Sequence, residues 1–93
     1  MAELHKLIKK GESETVEFKK SISEVKEAVI DICGFSNSKG GILIFGISNK
    51  SEIIGQEASD STLRKISNTI VDNTDPKIYP SIEINFDRHR LPV

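Results

Sequence analysis

The chain has 93 residues, with 13 lysines and arginines against 14 aspartates and glutamates, so its formal net charge is −1. This length suits one domain with a single modest core, and we interpret residues 1–93 as one domain from the N-terminal part of a longer protein. The near-neutral balance gives no global argument for nucleic-acid binding, although local clusters of lysine could supply one. One cysteine excludes an internal disulfide, and no stretch is typical of a signal peptide or membrane span, so we predict a cytoplasmic protein with no membrane partner.

The first predicted elements are a short helix and a strand. Apolar residues recur at helical spacing over residues 2–10, and Gly11 follows where a glycine commonly ends a helix. Residues 15–19, TVEFK, alternate in polarity and predict a strand with Val16 and Phe18 on one face.

The rest of the chain is organised around residues 25–47, VKEAVIDICGFSNSKGGILIFGI. The first half has helical periodicity, and the second half contains the apolar run ILIF at 42–45, which predicts a strand covered on both faces. Between them, Asn37, Gly40 and Gly41 are typical of a tight turn that needs glycine dihedral angles.

Capping residues mark where two helices begin. Ser21 and Glu24 have the spacing of a capping box and should open the helix of the organising stretch. Asp60 or Ser61 should cap a third helix, which residues 73–76, NTDP, should end because proline disfavours its continuation.

Two further strands complete the predicted fold. Residues 52–55 should form a hairpin with the preceding strand, and residues 81–87 alternate strictly, with Ile82, Ile84 and Phe86 on one face. We therefore predict an α/β (α+β) domain with a small mixed β-sheet of about four strands and about three helices.

Nucleotide and metal chemistry have little support from residue spacing. Residues 38–41, SKGG, lie between a helix and a strand, whereas a phosphate-binding loop needs the reverse order so that a helix N-terminus faces the phosphates. His5, His89 and Cys33 show no metal-ligand spacing, so we predict no cofactor.

Two carboxylates and several basic residues remain as functional candidates. Glu12 and Glu17 could hold Mg²⁺ or Mn²⁺ for phosphodiester cleavage if a third ligand joined them, or they could simply be solvated. Exposed basic side chains could neutralise the phosphates of DNA or RNA, or could only solubilise the domain. The basic candidates are Lys19, Lys20, Lys39, Lys50, Arg64 and Lys65.

Several of these segments occur in a familiar order. They are Glu12, EFK at 17–19, a helix ending in GFSNSKGG at 34–41, ILIFGI at 42–47, and IIG at 53–55. Over nearly all of residues 12–90, this series resembles the Schlafen AlbA-like DNA-binding domain, formerly catalogued as a divergent AAA-type ATPase domain. The resemblance implies a mixed-sheet α/β fold, DNA binding, and a place at the N-terminus of bacterial and archaeal transcriptional regulators or helicase-annotated proteins. ATP binding is implied only through the older family name.

The resemblance also carries an enzymatic alternative. In the Schlafen branch that cleaves RNA, a carboxylate triad is responsible, and Glu12 and Glu17 match two of its positions. The third acid would be expected near residues 48–50, where this chain has SNK; Lys50 there would oppose a metal ion, and Glu52 is the nearby acid.

Three hypotheses follow. The leading one is a non-enzymatic nucleic-acid-binding domain of a transcriptional regulator that contacts phosphates through the six basic candidates. The second is a metal-dependent ribonuclease that uses Glu12 and Glu17 with Mg²⁺ or Mn²⁺. The third is an assembly module that forms a homodimer through the edge strand at 82–86.

Overall fold

Three helices and a two-stranded sheet make up the part of the chain that the computed structural model describes, residues 2–85. The elements, in chain order, are α1 (Ala2–Lys10), β1 (Val16–Lys19), a 3₁₀ turn (Ile22–Glu24), α2 (Val25–Ser36), β2 (Ile42–Phe45) and α3 (Asp60–Asp72). The predicted mixed α/β fold with three helices is confirmed.

β1 and β2 pair in parallel, with Val16 opposite Ile42 and Lys19 opposite Phe45. Parallel neighbours need a crossover connection, and α2 provides it. Both strands therefore end at the same edge of the sheet, which we call the carboxyl edge.

The prediction of about four strands is not confirmed within residues 2–85. The expected hairpin is reduced to one antiparallel bridge between Ile47 and Ile53. Residues 81–85 of the last predicted strand have no strand assignment, and Phe86 and Asp87 lie outside the described residues. Alternating polarity indicates which face of a strand would be buried, but a strand also needs a hydrogen-bonding partner.

The apolar residues form two clusters, one on each face of the sheet. On one face, Ile8 of α1 packs with four residues of the strands and their extension: Val16, Phe18, Ile44 and Ile47. On the other face, α2 and α3 pack against each other through Val25, Val29, Ile66 and Ile70, and Phe45 of β2 contacts this cluster. The sheet thus lies between α1 and the α2–α3 layer, as alternation along a strand requires.

α2 and α3 run in the same direction. At one end, the Ile22 N–H donates to Gln56 Oε1 at 2.7 Å just before α3 begins. At the other end, Cys33 near the end of α2 and residues 74–78, which follow α3, line the same pocket. Because α2 returns from the carboxyl edge of the sheet, α3 also begins near that edge.

β2 is less covered than its sequence predicts. Ile44 is buried, but Ile42 keeps 46% of its surface exposed. Within the described residues β2 has β1 on one side only, and its other side borders an apolar groove that Ile82 and Ile84 also line. The prediction of a strand covered on both faces is therefore wrong at Ile42.

Two helix starts differ from the prediction by a few residues. Ser59, rather than Asp60 or Ser61, caps α3, and its Oγ accepts from the Thr62 N–H at 3.3 Å. Ser21 caps the 3₁₀ turn instead of α2, and the Glu24 carboxylate accepts from the Lys20 N–H at 2.7 Å rather than from Ser21. The capping residue types were recognised, but neighbouring serines and acids compete for the same N–H groups.

The predicted start of the chain agrees with the structure. Gly11 follows α1 with a φ of +82°, and its N–H donates to the Ile8 carbonyl at 3.1 Å.

None of the helices within residues 2–85 has the length and apolar character needed to cross a membrane.

Candidate nucleic-acid interface

A charged cluster joins β1 to α2. The Lys19 ammonium lies 3.0 Å from Asp31 Oδ2 and 3.8 Å from Glu17 Oε1. The Lys19 side chain is only 15% exposed, and Asp31 Oδ2 is buried with no hydrogen-bond donor of favourable geometry among the described residues. The contact is therefore an ion pair in which Lys19 neutralises the buried Asp31 oxygen.

The environment of Lys19 favours its charged form. Burial alone would lower the pKa of Lys19, but the close contact with Asp31 and its negative charge, together with the charge of Glu17, raise it. The ammonium is thus held inside the protein by two carboxylates.

Glu12 lies beside β1, the strand that contains Glu17. Glu12 Oε2 accepts from the Phe18 N–H at 3.1 Å. Burial raises the pKa of Glu17, and a hydrogen bond with Glu12 and the negative charges of Glu12 and Asp31 raise it further. The Glu17 carboxyl group therefore takes up a proton more readily than an isolated glutamate does.

No three carboxylate, histidine or cysteine side chains among the described residues are grouped so that they could hold a metal ion. Besides Glu12, Asp31 is an acid whose negative charge raises the pKa of Glu17, but Asp31 is paired with Lys19. The expected region for a third acid, residues 48–50, forms a turn in which Ser48 Oγ accepts from the N–H groups of Lys50 and Glu52.

The other basic candidates are exposed, and none of them forms a salt bridge within residues 2–85. They are Lys20, Lys39, Lys50, Arg64 and Lys65. Chain topology separates them into three groups rather than one patch.

Lys20 follows β1 and Lys50 lies in the turn beyond β2, so both are at the carboxyl edge of the sheet. Gly11 lies at the same edge, because a Cβ at that position would be 3.9 Å from Ser51 Oγ. Lys39 precedes β2 and therefore lies at the opposite edge.

The turn that carries Lys39 is built around two glycines. The Gly40 N–H donates to the Phe35 carbonyl at 2.8 Å, with φ at +83°. A Cβ on Gly41 would lie 2.5 Å from Phe35 Cγ. Asn37 is the C-cap of α2, and its N–H bonds back to the Cys33 carbonyl. The turn thus depends on close approach of its backbone to Phe35.

Arg64 and Lys65 lie in the middle of α3, on the side away from its buried residues Thr62, Ile66 and Ile70. Glu57 supports the start of this helix. Its carboxylate accepts from the Ser59 N–H at 2.9 Å and from the Thr62 hydroxyl. Hydrogen bonds from Ser59 and Thr62 lower the pKa of Glu57.

Sequence reasoning missed Asp31 and Gln56, which hold β1 and the start of α2 in place. Asp31 lies three residues after buried Ala28, so its position near the apolar stripe of α2 was a usable signal. Gln56 carried no such signal, because its partner Ile22 is 34 residues away in sequence.

The family model described as Schlafen, AlbA_2 matches residues 12–92. The chain belongs to the Schlafen AlbA_2 family. Comparison with curated proteins and with solved structures gives no match. The AlbA_2 match begins at Glu12 and includes both strands, α2, α3 and all six basic candidates, whereas α1 precedes it. α1 nevertheless contributes Ile8 to the core of this AlbA_2 domain.

Proposed function

We propose that this AlbA_2 domain binds nucleic acid without catalysis, by contacting phosphates through exposed lysine and arginine side chains, as part of a transcriptional regulator. Family membership supports a nucleic-acid-related role. The observation that carries the proposal is the set of exposed cations without a salt bridge among the described residues: Lys20, Lys39, Lys50, Arg64 and Lys65.

Lys19 has a different part in this proposal. A phosphate contact by Lys19 would require its ammonium to leave Asp31, whose Oδ2 is buried. Separating a partly buried pair costs more than recruiting an exposed lysine. Lys19 therefore positions β1 against α2, and the exposed cations contact phosphates.

The proposal is tested by removing two exposed cations together. In anisotropy titrations with a labelled duplex DNA of random sequence, we expect Arg64→Ala/Lys65→Ala to bind more weakly and to lower the salt slope by about 2, near one unit per lost phosphate contact. Lys6→Ala/Lys9→Ala removes two cations from α1, on the opposite face of the sheet, and should change the slope less. Equal losses in both variants would contradict the assignment of the contact surface.

One observation favours a ribonuclease as the second candidate. Glu12 Oε2 accepts from the N–H of Phe18, the residue after Glu17, and the negative charge of Glu12 raises the pKa of Glu17, so two possible metal ligands lie near each other. This candidate predicts Mn²⁺-dependent cleavage of structured RNA that is lost in Glu17→Ala. Cleavage that persists in the variant would exclude Glu17 as a ligand.

A further inference from the structure

The outer face of α3 carries polar side chains in addition to the two cations that the proposed function assigns to phosphates. Ser61, Arg64, Lys65 and Asn68 are exposed there. Arg64 and Asn68 are one helical turn apart, as are Ser61 and Lys65. Arg64, Lys65 and Asn68 form no side-chain hydrogen bond or salt bridge with any other residue in the described range.

The opposite face holds α3 firmly in the protein. Ile66 and Ile70 pack against Val25 and Val29 of α2, and Thr62 is buried near the helix start. Capping by Ser59 fixes the first turn. A helix that is anchored in this way can present its free side chains without first becoming ordered, which limits the entropic cost of binding.

Resting on the proposed function, we propose that α3 lies in the major groove of duplex DNA. At a preferred site Arg64, which contacts a phosphate on random duplex, reads a base edge together with Asn68, and Lys65 contacts a phosphate. A guanidinium can donate two hydrogen bonds to guanine O6 and N7, and an asparagine amide can pair with adenine N6 and N7. These residue types on one exposed face supply both the charge and the directional donors that such recognition needs.

Groove dimensions select duplex DNA over duplex RNA. An α-helix with its side chains is about 10–12 Å across, and the major groove of B-form DNA is about 12 Å wide. The major groove of A-form RNA is too narrow and deep for side chains to read. A contact made by a helix face therefore favours the B-form duplex.

Acidic residues confine the contact to the centre of α3. Asp60 lies four residues before Arg64, and Asp72 lies four residues after Asn68, so both ends of this face would repel phosphates. The outer face of α2 is less suitable, because it combines Lys26 with Glu27 and with Ile30, which is 73% exposed. Charge complementarity thus points to the two central turns of α3.

The test is selection of preferred sites from a random duplex DNA library, followed by affinity measurements on the selected and random duplexes. We expect the wild-type protein to enrich a short motif that contains G and A. Asn68→Ala and Arg64→Lys should each reduce the ratio of affinity for the selected duplex to affinity for random duplex by about tenfold. Lys26→Ala on α2 is the matched surface control and should retain the motif.

The outcomes separate the two proposals. Binding to nucleic acid without any enriched motif, or a motif unchanged in both α3 variants, would overturn base reading by α3 and leave the proposed function standing. Equal affinity for duplex RNA and for the selected DNA would also overturn it. Absence of binding to DNA and RNA at low salt would overturn both proposals.

Discussion

Lys19 Nζ lies 3.0 Å from Asp31 Oδ2, and this pair connects β1 to the crossover helix α2 on the face of the sheet opposite α1. The pair explains how the charged residues Glu17 and Lys19 of β1 are accommodated on the face of the sheet that α2 covers. The Lys19 ammonium contacts both Asp31 and Glu17. Lys19 therefore stabilises the packing of β1 against α2.

Breaking this pair should destabilise the domain. Asp31→Ala leaves Lys19 without its closest partner, and we expect the free energy of unfolding to fall by about 1–3 kcal/mol, less than for a fully buried pair because both side chains are partly exposed. Urea unfolding of Asp31→Ala, Lys19→Met and the double variant measures the coupling between them. Additive losses would show that the two side chains do not interact.

The raised pKa of Glu17 predicts that the stability of the folded chain depends on pH. The folded chain holds the Glu17 proton more tightly than the unfolded chain, so stability declines as pH rises from the ordinary value of 4.5 through the folded-state pKa. Glu17→Gln removes that ionisation. We expect this variant to be more stable than the wild type at pH 7 and to lose that advantage below pH 4.5.

Glu14→Gln is the control for this change in charge, because it removes an exposed carboxylate outside the cluster. Thermal unfolding of the three proteins across the pH range provides the comparison. A stability difference between Glu17→Gln and the wild type that does not vary with pH would contradict the account of Glu17.

Two glycines should respond in opposite directions to alanine. A Cβ on Gly41 would meet the Phe35 ring at 2.5 Å, so Gly41→Ala should lower the free energy of unfolding by about 1–3 kcal/mol. Gly34 lies inside α2 with nothing within 4 Å of its Cβ position, so Gly34→Ala should raise it by about 0.5–1 kcal/mol. Chemical denaturation checks both, and a loss of stability in Gly34→Ala would show that its surroundings are more crowded than described.

The contribution of the Ser59 N-cap to the stability of α3 can be tested by comparing two serine variants. Ser59→Ala removes the side chain that accepts from Thr62 N–H and should cost about 1 kcal/mol. Ser61→Ala, two residues later and exposed, should cost less than about 0.5 kcal/mol. Equal costs in urea unfolding would indicate that Ser61 shares the capping role.

Local patterns predicted most of this fold, because helical spacing and glycine punctuation act over a few residues. α1 with Gly11, the buried face of β1 and the glycine turn before β2 were all anticipated in this way. The start of α3 was placed one or two residues late, because Ser59, Asp60 and Ser61 are all good capping residues in sequence.

Contacts between distant segments were less accessible. The Lys19–Asp31 pair forms only when the crossover places α2 against β1, and a lysine in a strand gives no local sign of such a partner. The predicted number of strands, about four, was not confirmed for a related reason. Residues 81–85 alternate as a strand does, yet alternation does not determine whether a segment beside an open sheet edge forms hydrogen bonds with it.

The most direct measurement of the central claim is the affinity of the wild-type domain for labelled duplex DNA across a salt series. We expect log affinity to fall linearly with log salt, with a slope of about −2 to −4, which corresponds to about two to five phosphate contacts. An affinity that does not change with salt, or no binding at low salt, would contradict phosphate binding by the exposed lysines and arginines.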